Sequence, residues 1–268
     1  MDLHLPEPPA DPKAQRAADR RRLAGAFKLS LAFAALLAVV FGLQAMGDWR
    51  PFAIAPGTAH GLLGILTTPL LHGSPEHLLA NAGALLLLGT LTFMLYPRAA
   101  PRALPLMWLG AGLCAWWLGD PGSHHLGASG VTHGLMFLLF VLGILRRDRP
   151  SVAAGMIAFF FYGGMLLTIL PQEPGVSWQS HLGGAVGGVL GAVLFRHLDP
   201  LTPRRRYSWE LEEEQAEADA ARDRDRDRDQ FETRAPNDVP ILWQRQEPTR
   251  GQVLEFRRPS RKDDPPRT

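Results

Sequence analysis

The sequence has almost no cysteine, and it has no acidic residue inside any of its long apolar runs. Cys114 is the single cysteine among 268 residues, which excludes a disulfide framework within the chain and any Cys-x-x-Cys redox or metal motif. Cys114 lies in an apolar run, where a small packing residue is expected. The net charge is only +2, and the basic residues lie at the ends of apolar runs, so nucleic acid is not favoured as a partner.

Six apolar runs dominate the middle of the chain, each near the length needed to cross a bilayer. They occupy residues 29–46, 77–95, 103–118, 126–145, 152–170 and 178–198. Backbone groups in lipid must find hydrogen-bond partners within their own segment, so each run is predicted to be a helix. The predicted fold class is an all-α membrane protein with a bundle of six transmembrane helices.

The two ends of the chain differ sharply in composition from this core. They are rich in proline, arginine, aspartate and glutamate, which cannot bury enough apolar surface to fold. We therefore predict three regions: a disordered tail at 1–26, a membrane domain at 27–199, and a largely disordered charged tail at 200–268. Within the second tail, residues 210–221 are compatible with a solvated helix.

Basic residues alternate between the loops and predict the orientation of the helices. They are concentrated before the first run, between the second and third, between the fourth and fifth, and after the sixth. By the positive-inside rule, both tails are predicted to be cytoplasmic. The short loops favour a bacterial inner membrane.

Four polar side chains lie at one predicted depth in this apolar core. Ser129, His181, His77 and Asn81 all fall near the predicted outer ends of their helices, within roughly 10 Å of the surface at a rise of about 1.5 Å per residue. Polar groups inside membrane helices are costly and usually functional. Their convergence from three helices predicts a site.

The residue types at this depth suit acyl transfer. A serine hydroxyl becomes a nucleophile when a neighbouring base takes its proton, and His181 is the candidate base for Ser129. Because no Asp or Glu lies within the runs, the prediction is a Ser–His dyad rather than a triad. His77 and Asn81, four residues apart on one helical face, and the backbone N–H of Ser129 are the candidate oxyanion donors.

Glycines near these residues predict close helix packing. Gly184 and Gly188 lie on about the same face as His181, and a further set of glycines at four-residue spacing extends the pattern. Small residues let helix backbones approach each other in membranes. Gly127 and Gly130 provide space beside Ser129.

Three motifs of this sequence together resemble the rhomboid family of intramembrane serine proteases. They are HGSPEHLLAN at 72–81, GASG at 127–130, and His181 followed by Gly184 and Gly188. They occur in the family's order, and the resemblance covers about 170 residues. It implies a six-helix bundle with a water-filled cavity open to the outside, and cleavage of a transmembrane substrate near its outer end without a metal or cofactor.

The resemblance also implies residue roles. Ser129 would be the nucleophile and His181 the base, while His77 and Asn81 would line the oxyanion hole. His72 would be structural or would line the cavity.

Two positions depart from the family's usual pattern. The first outer loop lacks the common Trp-Arg pair and reads LGIL at 63–66 instead, so the usual anchoring of this loop is in question. The position four residues after the serine, often a tyrosine that packs on the catalytic histidine, is His133. An imidazole there can stack in the same way, or compete for a hydrogen bond from Ser129.

Two other functions remain as alternatives. One is a rhomboid-like pseudoprotease that binds membrane clients without cleaving them, although such proteins typically lose the serine or the histidine. The other is a membrane protein in which His77 and His181 ligate haem or a metal, although the runs contain no carboxylate to join them. The substrate's identity and the oligomeric state are not determined by the sequence.

Overall fold

A computed structural model describes residues 12–171, 175–200 and 208–231, and these residues are almost entirely helical. Within these ranges the structure has no β-strand, and the one extended pairing is an isolated antiparallel bridge between Ile54 and His125. The chain divides into a membrane unit up to Arg205 and a separate charged unit from Arg206.

The helices of the membrane unit follow the six predicted apolar runs, with one additional short helix. They are α1 (Pro12–Gln44), α2 (Gly61–Thr67), α3 (Pro75–Ala84), α4 (Thr90–Leu95), α5 (Ala100–Leu118), α6 (Ser129–Arg146), α7 (Arg149–Tyr162) and α8 (Trp178–Phe195). A π-helical turn, Leu85–Gly89, joins α3 to α4. A 3₁₀ segment, Gly163–Ile169, continues α7.

Four of these helical stretches are long and apolar enough to cross a membrane: Lys13–Gln44, Pro75–Leu95, Ser129–Arg146 and Arg149–Ile169. The chain is therefore an all-α membrane protein. The other two predicted spans are α5 and α8, which are 19 and 18 residues long. They are rich in glycine or tryptophan, which add little hydropathy, so the count of six crossing helices stays a prediction.

The start of α3 illustrates how the sequence determines a helix boundary. The Ser74 hydroxyl accepts a hydrogen bond from the backbone N–H of His77 at 3.2 Å. Pro75 follows at the first helical position, and Glu76 lies in the first turn. A serine cap, a proline and an acidic residue are the expected order at a helix N-terminus. They fix the start of α3 and therefore the position from which the His77 side chain projects.

The first face of α8 packs tightly against α6. A Cβ atom added at Gly184 would overlap the carbonyl oxygen of Gly130, and one added at Gly188 would overlap that of Gly134. The backbones of the two helices are therefore in direct contact. This agrees with the close approach that the glycine spacing predicted.

The second face of α8 packs against α5 in a similar way. A Cβ at Gly183 would overlap the carbonyl oxygen of Gly110, and one at Gly187 would overlap that of Leu106. α8 is therefore held between two helices by backbone contact on both sides.

The loop between α1 and α3 is folded onto the bundle despite the missing Trp-Arg pair. The indole N–H of Trp108 donates to the carbonyl of Ile65 at 3.2 Å, and that of Trp116 donates to the carbonyl of Thr58 at 2.9 Å. Ile54 and Ile65 are buried. Two tryptophans of α5 thus anchor the loop that contains α2.

Two helix boundaries differ from the sequence prediction. α1 begins at Pro12, so residues 12–26, assigned above to a disordered tail, are helical. This stretch is rich in alanine and arginine, which favour helix. α6 begins at Ser129 and not at Leu126, because Gly127 has a left-handed backbone conformation with φ of 119°.

The charged unit contains one described helix, α9 (Ser208–Phe231). It extends the helix expected at 210–221 through the alternating Arg–Asp stretch, where Arg222 pairs with Asp219 one turn earlier at 3.4 Å. The predicted disorder of 1–11, 201–207 and 232–268 concerns residues outside the described ranges.

Candidate active site

Ser129 is the first residue of α6, directly after a sharp turn. Gly127 adopts the left-handed conformation that glycine tolerates best, and its N–H donates to the carbonyl of Thr68 at 3.0 Å. Ala128 precedes the helix as its cap residue. The N–H groups of the first helical turn have no intrahelical partner, so the backbone N–H of Ser129 is available near its own hydroxyl.

His181 lies in the first turn of α8 and contacts Ser129 directly. Its Nε2 atom is 2.9 Å from the Ser129 hydroxyl oxygen. The contact depends on Gly130, because a Cβ atom there would lie 2.8 Å from the carbonyl oxygen of Ser180. The structure thus brings together the two residues that the sequence singled out from runs about fifty residues apart.

A backbone carbonyl holds the other side of the His181 ring. The Nδ1 atom is 3.0 Å from the carbonyl oxygen of Thr168. Since a carbonyl oxygen only accepts, Nδ1 carries the proton and Nε2 is left free to accept from Ser129. The carbonyl of Thr168 therefore occupies the position relative to the ring that an aspartate has in a Ser-His-Asp triad.

His133 stacks on His181. The ring centroids are 3.8 Å apart and the planes differ by 14°. The Nδ1 atom of His133 lies 2.6 Å from the carbonyl oxygen of Ser129, and its Nε2 atom lies 2.8 Å from the Thr168 hydroxyl. Of the two roles considered for His133, the stacked arrangement is the one present, and neither ring nitrogen bonds to the Ser129 hydroxyl.

His77 and Asn81 face the turn before Ser129 from α3. A Cβ atom at Gly127 would lie 2.5 Å from Cε1 of His77 and 3.7 Å from Nδ2 of Asn81, so only glycine fits between the two helices. Asn81 is 4% exposed, and its Nδ2 atom has no hydrogen-bond partner. A buried, unpaired donor costs free energy, and here it is aimed at the site.

His72 lies behind His77 in the loop before α3. The two rings meet edge to face, with centroids 5.1 Å apart. Burial lowers the pKa of His72 to about 4, so the imidazole is neutral at physiological pH. Its backbone N–H and carbonyl both bond to the Gln44 side chain, at 3.0 and 2.9 Å, which gives His72 a packing role at the edge of the site.

A cavity of about 990 Å³ opens beside Ser129, and His72 does not line it. Its lining includes side chains from α3, α6, α7 and α8 and from the loops at the same end of the bundle. Ser129, His181, His77, Asn81 and His133 all line it. A volume of this size is at the upper end of the range typical of ligand-binding clefts.

The sequence analysis missed Thr168, His125 and Ser177. Thr168 acts through its backbone carbonyl, which every residue has, so no residue type could have indicated it. His125 lies in the loop before α6, where it is buried and bonds to Ser177. The described part of the chain has no cluster of three or more His, Cys, Asp and Glu side chains.

Comparison with known proteins gives one family. The family described as Rhomboid domain matches residues 59–197, a segment that includes every site residue above. The uncharacterized protein Rv1337 of Mycobacterium tuberculosis is 38% identical over 174 residues, covering 61% of this chain and 72% of that protein. Mb1372 of Mycobacterium bovis gives the same values. ML1171 of Mycobacterium leprae is 37% identical over 141 residues, covering 50% and 56%.

Proposed function

Because the chain belongs to the rhomboid family, we propose that it is an intramembrane serine endopeptidase with Ser129 as nucleophile and His181 as general base. The observation that carries the proposal is the 2.9 Å contact between His181 Nε2 and the Ser129 hydroxyl. A nucleophile within hydrogen-bond reach of a base, with the base oriented by a third group, is the geometry that activates serine.

The first chemical step is attack on a peptide carbonyl. The Ser129 oxygen forms a bond to the carbonyl carbon while its proton passes to His181 Nε2. The ring then carries two protons, and its Nδ1–H stays bonded to the carbonyl of Thr168. A neutral carbonyl stabilises the imidazolium less than a carboxylate does, so stacking by His133 takes a larger share in holding the ring.

The tetrahedral intermediate places negative charge on the former carbonyl oxygen. The unpaired Nδ2–H of Asn81, an N–H of His77 and the backbone N–H of Ser129 are the donors we assign to it. Gly127 is not one of them, because its N–H already bonds to Thr68; its role is to let α3 approach.

The remaining steps return the enzyme to its starting state. His181 gives its new proton to the leaving amine as the C–N bond breaks, which leaves an acyl group on Ser129. Water then attacks this ester, with His181 accepting one of its protons. The acyl carbon leaves as a carboxylic acid, and Ser129 regains its hydroxyl hydrogen from His181.

The substrate class follows from where the site lies. Ser129, His77 and His181 are in the first turns of helices that start at one end of the bundle, and we propose that this end faces away from the cytoplasm of a bacterial cell, with both tails inside. The substrates are then transmembrane segments of other membrane proteins, cut near their outer ends without a cofactor.

Labelling with a fluorophosphonate probe tests the proposal without a known substrate. We expect the purified protein to become covalently labelled, and Ser129→Ala and His181→Ala to lose labelling by roughly 10⁴-fold or more. Ser30→Ala and His197→Ala are the matched controls, because Ser30 is buried in α1 away from the cavity and His197 is exposed. Both should label like the parent.

Two other results would redirect the proposal. Equal labelling of His181→Ala and the parent would make His133 the leading base and remove the dyad. Absence of labelling in well-folded parent protein, with two probe classes, would favour the pseudoprotease, which is then tested by capture of membrane clients without cleavage.

A further inference from the structure

A second serine–histidine contact lies near the dyad and joins the same two chain segments. The Nδ1 atom of His125 is 2.6 Å from the Ser177 hydroxyl oxygen. His125 precedes Ser129 by four residues, and Ser177 precedes His181 by four residues. Both pairs line the same cavity.

The hydrogen positions in this second pair follow from its neighbours. The Ser123 hydroxyl donates to the carbonyl of Asp120 at 2.7 Å, so its oxygen accepts from His125 Nε2, 3.0 Å away. Burial lowers the pKa of His125, with a smaller opposing effect from Asp120, so the ring is neutral at physiological pH. Nδ1 therefore has no proton, and Ser177 donates its hydroxyl hydrogen to it.

His125 is held by residues outside α8. Its N–H and carbonyl form the bridge with Ile54 at 3.0 and 3.1 Å, and the Thr68 hydroxyl donates to the same carbonyl at 3.1 Å. A Cβ atom at Gly119 would lie 2.6 Å from His125 Nε2, so the ring is also packed closely. Backbone and ring contacts together make the imidazole a rigid attachment point.

Ser177 has an unusual arrangement for a serine at its position. It is the cap residue of α8, where a serine side chain normally accepts a hydrogen bond from the first turn of its helix. Here the side chain makes no such bond and is directed to His125 instead. The carbonyl of Ser177 accepts from the N–H of His181 at 3.1 Å, so a displacement of Ser177 would also displace the backbone of His181.

We propose that His125 and Ser177 form a positioning clasp, which holds the start of α8 against the loop before α6 and so fixes the distance between Ser129 and His181. The proposal rests on the proposed protease function for its catalytic consequence. Neither residue touches the reacting atoms. The glycine contacts between α6 and α8 reach no closer to the start of α8 than Gly130 against Ser180, and the clasp adds a contact on the N-terminal side of it.

The test uses an isosteric pair of variants at Ser177. Threonine keeps the hydroxyl, while valine has the same shape without it. We expect Ser177→Val to be labelled by the fluorophosphonate probe about tenfold more slowly, since small displacements of reacting groups are costly, and Ser177→Thr to stay within about twofold of the parent. His125→Leu should match Ser177→Val, and the double variant should be no slower than either, because both remove one contact.

Hydrogen exchange provides a readout that does not depend on activity. The clasp predicts faster exchange in the first turn of α8 for Ser177→Val than for Ser177→Thr, with the melting temperature unchanged. Equal exchange and equal labelling rates in the two variants would overturn the proposal, as would covalent modification of Ser177 itself by the probe. A drop in labelling explained fully by a smaller folded fraction would also overturn it.

Failure of the protease proposal gives a different pattern. If the parent is never labelled but exchange still separates valine from threonine, the clasp stands as a contact that orders α8, and the catalytic assignment of Ser129 is what has failed.

Discussion

The two faces of α8 both pack through glycines, but only one of them places polar side chains in contact at its end. On one face, Gly184 and Gly188 meet backbone atoms of α6; on the other, Gly183 and Gly187 meet backbone atoms of α5. Both faces allow helix backbones to touch, as small residues do in membranes. Only the α6 face ends in a serine and a histidine at hydrogen-bond distance.

This difference separates packing from chemistry. A run of glycines at four-residue spacing predicts close contact on whichever face it lies, and it carries no information about reactivity. The pair of Ser129 and His181 lies where a glycine contact meets the start of two helices, because side chains there face a cavity rather than a neighbouring helix. The α5 face holds α8 in place, and the α6 face also sets the distance between Ser129 and His181.

Among variants that leave Ser129 and His181 intact, the largest expected effect comes from placing a methyl group on either face of α8. Gly184→Ala and Gly187→Ala should each destabilise the protein by about 1–3 kcal/mol through overpacking. Gly184→Ala should also reduce the labelling rate of the folded molecules by roughly 10²-fold, since it separates α6 from α8 next to Ser129. Gly187→Ala should leave that rate within about threefold. Thermal unfolding and active-site labelling, measured on the same samples, separate the two quantities.

Equal loss of labelling rate in both glycine variants would break the comparison. It would mean that α8 moves as a rigid body between its neighbours, so that neither face is specific to catalysis.

The next effect concerns α3, whose residues His77 and Asn81 pack against Gly127 in the turn before α6. Asn81→Leu keeps the branching of the side chain and removes the donor, so we expect about 10²-fold slower labelling. Stability should be unchanged or slightly higher, because a buried donor without a partner is removed. Thr90→Val is the control, since the Thr90 hydroxyl is also buried and unpartnered but lies outside the cavity.

A normal labelling rate in Asn81→Leu would leave His77 and the Ser129 N–H as the oxyanion donors. It would also restrict the role of α3 to forming the cavity wall.

The smallest effect is expected at His133, which lies on α6 and faces His181. His133→Tyr restores the residue usual in the family and keeps an aromatic ring over His181, so labelling should stay within about threefold. His133→Leu loses the stack and both hydrogen bonds, and labelling should fall about tenfold. If tyrosine and leucine are equally slow, the bonds to Thr168 and to the Ser129 carbonyl matter more than the stacked ring.

The sequence analysis could single out the candidate site residues because their residue types are rare inside apolar runs. Ser129, His181, His77 and Asn81 were all identified, and the structure gathers them around one cavity. The depth estimate for Ser129 was less accurate, because Gly127 delays the start of α6 to Ser129 itself. Such a turn depends on the contact between Thr68 and Gly127, which lie far apart in the chain.

What the sequence alone determined is the helical membrane class, the motif residues and the glycine faces, since all of these depend on side-chain type and spacing within one segment. Only the tertiary structure decided which carbonyl orients His181, where His133 directs its two nitrogens, and that Ser177 reaches His125. Apart from the contact between His133 and the Ser129 carbonyl within α6, these contacts join residues from separate helices and loops. A backbone carbonyl is present in every residue, so residue type cannot indicate which one orients a side chain. The local sequence pattern determines which side chains each helix presents, and the packing of the helices determines which of those side chains come into contact.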